Sequence, residues 1–432
     1  MFQTLKNAWK IPDLRRKILF TICIVLVYRI GAVLPVPYIS ADSLNIFMSQ
    51  TEGSIFQYLN ILSGDAFGKA TLFALAVSPY ITAQIVMQLL AIAIPALERL
   101  SKDGDEGREK INRITRYVSV GIAVITAFGY YMYMKRMGMI VSNNVVPEWF
   151  EATVVIACYV AGSALIMWMS EKINERGIGN GISVILFVNI LASLPNFMIG
   201  LVRDMLEGWK GVIYGAVVIV IGLGLLVFIV FMSESERRLP IQYAKKVVGR
   251  KMYGGQNTTL PIKINMSGVM PIIFANSILM LPSTIAAFFK QPASDSFWGK
   301  FLKFISYESW FYVALFVILI IAFSYFYIAI SFNPVEVANN LKKNGGFIPG
   351  IRPGKPTSDY ITKVLNKIIL IGAIMLCVIA ALPLIINIVV PEGISSLAFG
   401  GSSIIIVVGV ALELYRAVEA EMTMRHYRGF LG

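Results

Sequence analysis

Residues that could carry out chemistry are scarce in this chain, and where they occur the spacing does not suit catalysis. The nearest approach to a phosphate-binding loop is Gly350-Ile351-Arg352-Pro353-Gly354-Lys355-Pro356-Thr357. Such a loop needs four residues between its glycines and a Ser or Thr directly after the Lys, so that amides cradle phosphate and the hydroxyl reaches the metal. Here three residues separate the glycines and Pro356 stands at the hydroxyl position. If work is done at this protein, a partner supplies the energy. His426 is the only histidine and lies in the C-terminal tail, which excludes a Ser/His/Asp or Cys/His triad in the apolar part of the chain. Cys23, Cys158 and Cys377 fall in three different apolar stretches, without paired or metal-ligand spacing, and read as small hydrophobes in packing. The expectation is a protein with no enzymatic activity, no cofactor and no metal.

Charge within the apolar stretches is equally sparse, with Arg29 and Glu413 the main instances. A proton- or ion-coupled transporter keeps ionisable groups near the bilayer midplane as its relay. Arg29 precedes Pro35 by six residues and is expected to snorkel to the outer surface. Glu413 sits near a cytoplasmic helix end, within reach of water. The interior reads as an uncharged passage or as no passage.

The elements that must position these residues are membrane spans. Of 432 residues 57% are apolar and 15% charged, too oily for a soluble domain of this size. A helix needs about 20 mostly apolar residues to cross a bilayer core. Such stretches lie near 18–35, 70–95, 117–134, 152–169, 182–201, 212–232, 268–289, 311–330, 365–390 and 402–418. If the first starts on the cytoplasmic side, the inside segments hold 27 of the 38 Lys and Arg, the outside ones hold 8, and Arg29, Lys367 and Arg416 lie within spans, the last two near their cytoplasmic ends. Cationic loops resist translocation, so both termini are expected in the cytoplasm. Gly31-Ala32-Val33-Leu34-Pro35-Val36-Pro37 offers no good cleavage site, so the first stretch reads as an uncleaved span rather than a signal peptide. The predicted fold class is all-α: a polytopic membrane protein of ten transmembrane helices. The net charge of +13 is partly explained by anionic lipid headgroups beside the short loops.

Two long basic loops are not explained that way. In the first, about 233–267, Leu239-Pro240-Ile241-Gln242-Tyr243 and Thr259-Leu260-Pro261-Ile262-Lys263-Ile264 alternate about a segment containing Gly254-Gly255-Gln256-Asn257. That pattern predicts two strands and a turn standing off the membrane. Arg237, Arg238, Lys245, Lys246, Arg250 and Lys251 make this finger an electrostatic handle. The second, about 333–364, carries Lys342 and Lys343 and then places Arg352 among glycines and prolines. Arg352 is thereby displayed on a tight loop, where a planar guanidinium binds carboxylates or RNA phosphates bidentately.

A further irregularity precedes the second span. Ile55-Phe56-Gln57-Tyr58-Leu59-Asn60-Ile61-Leu62 is partly apolar but too short to cross, and Ser63-Gly64-Asp65-Ala66-Phe67-Gly68 breaks it. A re-entrant half helix and an interfacial outer loop both fit. Ten spans also divide into halves, 1–205 and 206–432, although no internal repeat is visible by eye.

Several segments together resemble the SecY family of protein-conducting channels, closest to its bacterial branch, in order along essentially the whole chain. They are Ser78-Pro79-Tyr80-Ile81-Thr82-Ala83, Glu175 to Ser183 (ERGIGNGIS), Arg237 to Ala244 (RRLPIQYA), Ile264 to Pro271 (INMSGVMP), and Gly346 to Gly354 (GFIPGIRPG). The resemblance implies two pseudo-symmetric five-helix halves hinged between spans five and six. It also implies a re-entrant plug helix at about 55–68, including Ile55, Phe56, Tyr58, Leu59, Ile61, Leu62, Gly64 and Phe67. At the waist it implies an apolar ring of Val77, Ile81, Leu186, Ile273 and Ile406, which blocks ions by dewetting yet presents no charge to a passing peptide. Membrane segments would leave sideways between spans two and seven, where Gln84, Gln88 and Asn276 are candidate gate residues. The implied partners are the small membrane subunits SecE and SecG, the SecA motor ATPase, the ribosome, signal sequences with unfolded polypeptides, and membrane lipid. The implied location is the bacterial cell membrane. Two other readings share the topology: a ten-span secondary solute transporter, and a structural scaffold or insertase.

Overall fold

A computed structural model describes residues 9–40, 60, 63–141, 146–206, 208–243, 246–248, 251–253, 257–288, 299, 301, 309–389 and 395–428. Its principal helices are α1 (Pro12–Gly31), α2 (Ser78–Ala93), α3 (Pro95–Lys102), α4 (Gly104–Arg136), α5 (Glu148–Arg176), α6 (Gly181–Leu206), α7 (Trp209–Glu234), α8 (Met270–Phe288), α9 (Trp310–Ser331), α10 (Pro334–Lys343), α11 (Lys355–Val389) and α12 (Ser395–Arg428). Each of the ten apolar stretches falls on one of these helices. Six helices (α4, α5, α6, α7, α9 and α11) are long and apolar enough to cross a membrane unaided, and a seventh is reached if α2 and α3 count as one broken span.

Helix is the form these stretches must take, because in lipid every backbone N–H and C=O has to be satisfied within the segment. Hydroxyls inside them follow the same rule by bonding back one turn. Thr126 Oγ1 donates to the Ile122 carbonyl at 2.9 Å and Ser324 Oγ to that of Ile320 at 2.8 Å.

The second stretch departs from expectation. It is helical only from Ser78, and residues 64–77 form successive turns with Ala70 and Ala76 at positive φ. Apolar composition is common to a helix and to a buried turn, so hydropathy alone could not place that boundary. Pro79 fixes the start of α2, since proline is preorganised for the first helical turn. Pro95 ends it: α3 leaves at 106° because a proline N–H is missing from the ladder.

The cytoplasm-predicted loops form strands β1 (Glu236–Tyr243), β2 (Lys246–Val248), β3 (Lys251–Tyr253), β4 (Asn257–Lys263) and β5 (Gly346–Phe347). β1 pairs antiparallel with β4, Leu239 opposite Leu260, as the alternation predicts. β5 of the second loop adds to the other edge of β1, with Gln242 opposite Phe347 and Tyr243 opposite Gly346. The two basic loops are therefore one body. Leu239 and Ile241, two residues apart and so on one face of β1, are both buried. The first joins Ile262, Ile328 and Leu365, the second Leu341, Ile348 and Ile361. The sheet is thereby seated on the ends of α9 and α11.

Parts of the first and last principal helices, α1 and α12, meet at this same end of the bundle. Leu14, Ile178 and Val418 share one apolar cluster, and Arg416 of α12 donates to the Ser233 carbonyl and pairs with Glu234 at 2.8 Å, just before β1.

Candidate functional site

The five waist positions come from four helices and one helix cap. Val77 caps α2, its carbonyl accepting from Tyr80 and Ile81 N–H at 3.1 and 3.0 Å. Leu186 lies on α6, Ile273 on α8 and Ile406 on α12. Val77, Ile81, Leu186 and Ile406 are buried and Ile273 is half-buried against them, all within one contiguous apolar cluster. That cluster also takes in neighbours such as Ile185 and Ile272, so the ring is a subset of it.

Leu186 owes its position to a tight corner between α5 and α6. Gly181 N–H donates to Asn174 Oδ1 at 2.7 Å, and Ile182 N–H to Asn180 Oδ1 at 3.0 Å. A Cβ on Gly181 would stand 2.0 Å from the Ser170 carbonyl oxygen, so only glycine permits this approach. Ile178 N–H donates to Thr21 Oγ1 of α1 at 3.1 Å, and Lys17 of α1 pairs with Glu421 of α12. The corner is thus wedged between the first and last helices.

The turns leading into Val77 form a fixed wall. Tyr130 Oη on α4 donates to the Phe67 carbonyl at 2.8 Å, and the two rings lie 4.6 Å apart. Phe67 is buried with Tyr130, Tyr159 and Met134. Leu72 N–H donates to the Leu34 carbonyl at 2.9 Å and Val36 N–H to that of Ala70 at 3.2 Å. Of the plug candidates, Gly64 and Phe67 belong to this region, whereas Ile55, Phe56, Tyr58, Leu59, Ile61 and Leu62 lie outside the described residues.

Arg29 differs from its expected outward reach. Its Nη1 is buried with no hydrogen-bond partner among the described residues, and it packs against Gly64 beside Asn189 of α6. The charge thus turns toward the protein, because the polar turn at 63–68 lies closer than bulk water. Glu413 lies at the surface of α12.

Between α2 and α8 the contact is of another kind. α8 meets both α2 and α4, Asn276 is buried, Gln84 is half-buried, and Gln88 Oε1 is buried without a hydrogen-bond partner among the described residues.

At the sheet, Arg237, Arg238, Lys342, Lys343 and Arg352 are all exposed. Arg238 Nε donates to Glu236 at 2.6 Å. The side chains of Lys245, Lys246, Arg250 and Lys251 lie outside the described set, although Lys246 and Lys251 end the β2–β3 ribbon. The tip bearing Arg352 is held by its backbone: Thr357 Oγ1 donates to the Arg352 carbonyl at 2.8 Å and Ile351 N–H to that of Ile348 at 3.0 Å. Gly350 and Gly354 take positive φ. Nearby, partial desolvation and then the adjacent Arg416 push the Lys263 ammonium below the usual lysine value, as crowding of like charge requires. Among the described residues no three His, Cys, Asp or Glu side chains converge on a metal site.

Two features escaped the sequence reading. Strand β5 has only two residues and so carries no periodicity. Tyr130 is an ordinary aromatic in an apolar run, and only its long-range partner marks it.

The SecY family profile matches residues 71–415. The chain belongs to the SecY family. The protein translocase subunit SecY of Streptomyces scabiei is 40% identical over 444 residues spanning the whole of both chains, and that of Mycobacterium bovis is 40% identical over 445. Among solved structures, a protein-conducting channel matches with a TM-score of 0.66 at 15% identity, covering 94% of this chain and 92% of that one. A SecY protein whose plug domain is described as stabilising the closed channel and maintaining a membrane seal matches equally well, with a TM-score of 0.66 at 16% identity. Sec61 in a canine ribosome–channel complex gives a TM-score of 0.63. This SecY-family fold is a multi-pass membrane bundle carrying a cytoplasm-predicted three-stranded sheet and a two-stranded ribbon.

Proposed function

We propose that the chain is a protein-conducting channel that passes unfolded secretory polypeptides across the bacterial cell membrane and releases membrane segments sideways into lipid. Ten spans in two halves, 1–205 and 206–432, enclose the passage, with a plug around 55–68 and both termini cytoplasmic. Val77, Ile81, Leu186, Ile273 and Ile406 form the waist ring. The observation that carries this reading is their place in or against one apolar cluster, to which α2, α6, α8 and α12 contribute among other helices. An uncharged constriction excludes water and ions, yet lets a chain of any sequence slide without a trap.

Gln84, Gln88 and Asn276 hold the α2–α8 seam, which parts when an apolar segment of about 20 residues gains by entering lipid. The exposed cations of the sheet, with Arg352 at its fixed tip, receive the SecA motor or the polyanionic ribosome. SecE and SecG complete the membrane assembly. Ribosome-bound channels among the structural neighbours support the docking role.

Crosslinking tests the passage directly. Cysteines at Ile81 and Ile273 are expected to capture a stalled secretory chain at successive positions along its length. Capture of a small solute site alone would favour a transporter, and absence of capture would favour a scaffold.

A further inference from the structure

Asn60 and residues 63–68 form a compact polar turn that neither the waist nor the α2–α8 seam uses. Asn60 Oδ1 accepts from Gly68 N–H at 2.7 Å, and its Nδ2 donates to Asp65 Oδ1 at 3.1 Å. Ser63 Oγ accepts from Phe67 N–H at 2.9 Å and donates to the Asn60 carbonyl at 2.9 Å. Gly64 and Asp65 are consecutive left-handed residues, at φ of 64° and 68°. That geometry suits Gly and is tolerated by Asp, whose short side chain bonds locally.

The turn is fastened to α6. Asp65 Oδ2 accepts from Asn196 Nδ2 at 2.9 Å across 131 residues of sequence. Gly64 lies against Asn189, one helix face and two turns away from Asn196, and against Arg29, with a Cβ there only 2.8 Å from Arg29 Nη1. The same segment is held a few residues later by the Tyr130 bond to Phe67.

These two attachments differ in what breaking them costs. Tyr130 is fully buried, so releasing its hydroxyl and the Phe67 carbonyl leaves both unsatisfied. Asn196 is exposed and Asp65 half-buried, so water replaces their bond at small cost. One is a permanent anchor and the other a releasable link.

We propose that Asp65 and Asn196 are positioning residues for channel closure, a polar latch that holds the turn at the plug's C-terminal end on α6 at rest and lets go when a polypeptide enters. This rests on the plug reading of 55–68 and deepens it. The carboxylate takes one amide from its own turn and one from α6, so it fixes the turn's orientation as well as its position.

Ion efflux from vesicles carrying the complete purified complex, without substrate, tests this. Asp65→Ala and Asn196→Ala are each expected to raise the idle leak about fivefold, the scale of one water-accessible bond to a charged group. The double variant should leak no more than either single. Asp65→Asn with Asn196→Asp should return the leak to the native level, because donor and acceptor merely exchange places. Native leak in both single variants, multiplicative leak in the double, or an exchanged pair as leaky as the singles would each overturn the latch. Deleting 55–62 separates the two readings: a leaky deletion beside tight single variants removes the latch alone, whereas a tight deletion removes the plug itself.

Discussion

Two contact regions of the bundle are built differently. Where α1 and the α5–α6 corner meet α12, the contact is stapled: Lys17 pairs with Glu421, Thr21 accepts from Ile178, and Leu14, Ile178 and Val418 interlock. A Cβ on Gly179 would stand 2.5 Å from Leu414, so backbone and side chain touch closely there. On α2 and α8, by contrast, Gln84 is half-buried, Asn276 is buried, and Gln88 Oε1 has no partner among the described residues. A buried polar atom left unsatisfied costs about 1–3 kcal/mol, so this seam is held below its best possible stability. In the proposed channel, such a difference would let the bundle fix one side and part at the other without any change of fold class.

Substitutions at the two seams and at the docking sheet sharpen that contrast. The largest effect is expected from Arg352→Glu. It should leave assembly and both seams intact while reducing motor-driven translocation into vesicles by more than about tenfold, since reversing a charge at a fixed tip repels the partner it served. Normal translocation by that variant would detach the docking sheet from the seam. Next comes Gly181→Val at the stapled corner. Its Cβ meets a backbone carbonyl that cannot yield, and a loss of about 3 kcal/mol is expected, read as a lower Tm of the complex. Gly200→Ala, with nothing within 4 Å of its Cβ, is the control: it should cost nothing and, inside α6, stabilise by up to about 1 kcal/mol.

At the parting seam, Gln88→Leu removes the unpartnered oxygen and is expected to stabilise the closed state by about 1 kcal/mol. Lateral release of a weakly apolar segment should slow, measured by its carbonate-resistant fraction. Smallest of all is Glu421→Gln. Its ion pair with Lys17 is about one third exposed on each side, so after solvent screening it is worth no more than about 0.5 kcal/mol. The shift in Tm should vanish in high salt.

Much of this architecture was legible in the residues, and the exceptions have physical causes. Apolar runs declare themselves in lipid because nothing but helix satisfies their backbones, and each of the ten stretches contains a helix, although the second is helical only from Ser78. The strand pair of the finger was readable from Leu239, Ile241, Leu260 and Ile262, whose period of two has no helical counterpart. The Arg352 tip followed from the glycines and prolines around it. The start of α2 was not legible, since Ala70 to Val77 is as apolar as the helix it precedes. Arg29 was expected to reach outward because hydropathy sees only distance to the nearest helix end; its true neighbour, Gly64, comes from a turn 35 residues away in sequence. The resemblance grouped Phe67 with the plug but could not show its bond, because the Tyr130 hydroxyl that claims its carbonyl comes from α4, 63 residues away. The α5–α6 corner was visible as a string of glycines, but its partners on α1 and α12 belong to tertiary structure alone.

The central claim is that one seam parts while the other stays shut. Spin labels on cysteines at Val86 of α2 and Ser277 of α8, and in a second sample at Arg15 of α1 and Glu419 of α12, measure both, in a background with Cys23, Cys158 and Cys377 replaced by Ser. With a membrane segment stalled in the channel, the α2–α8 distance should lengthen while the α1–α12 distance holds. An unchanged α2–α8 distance, or a widened α1–α12 pair, would contradict the account.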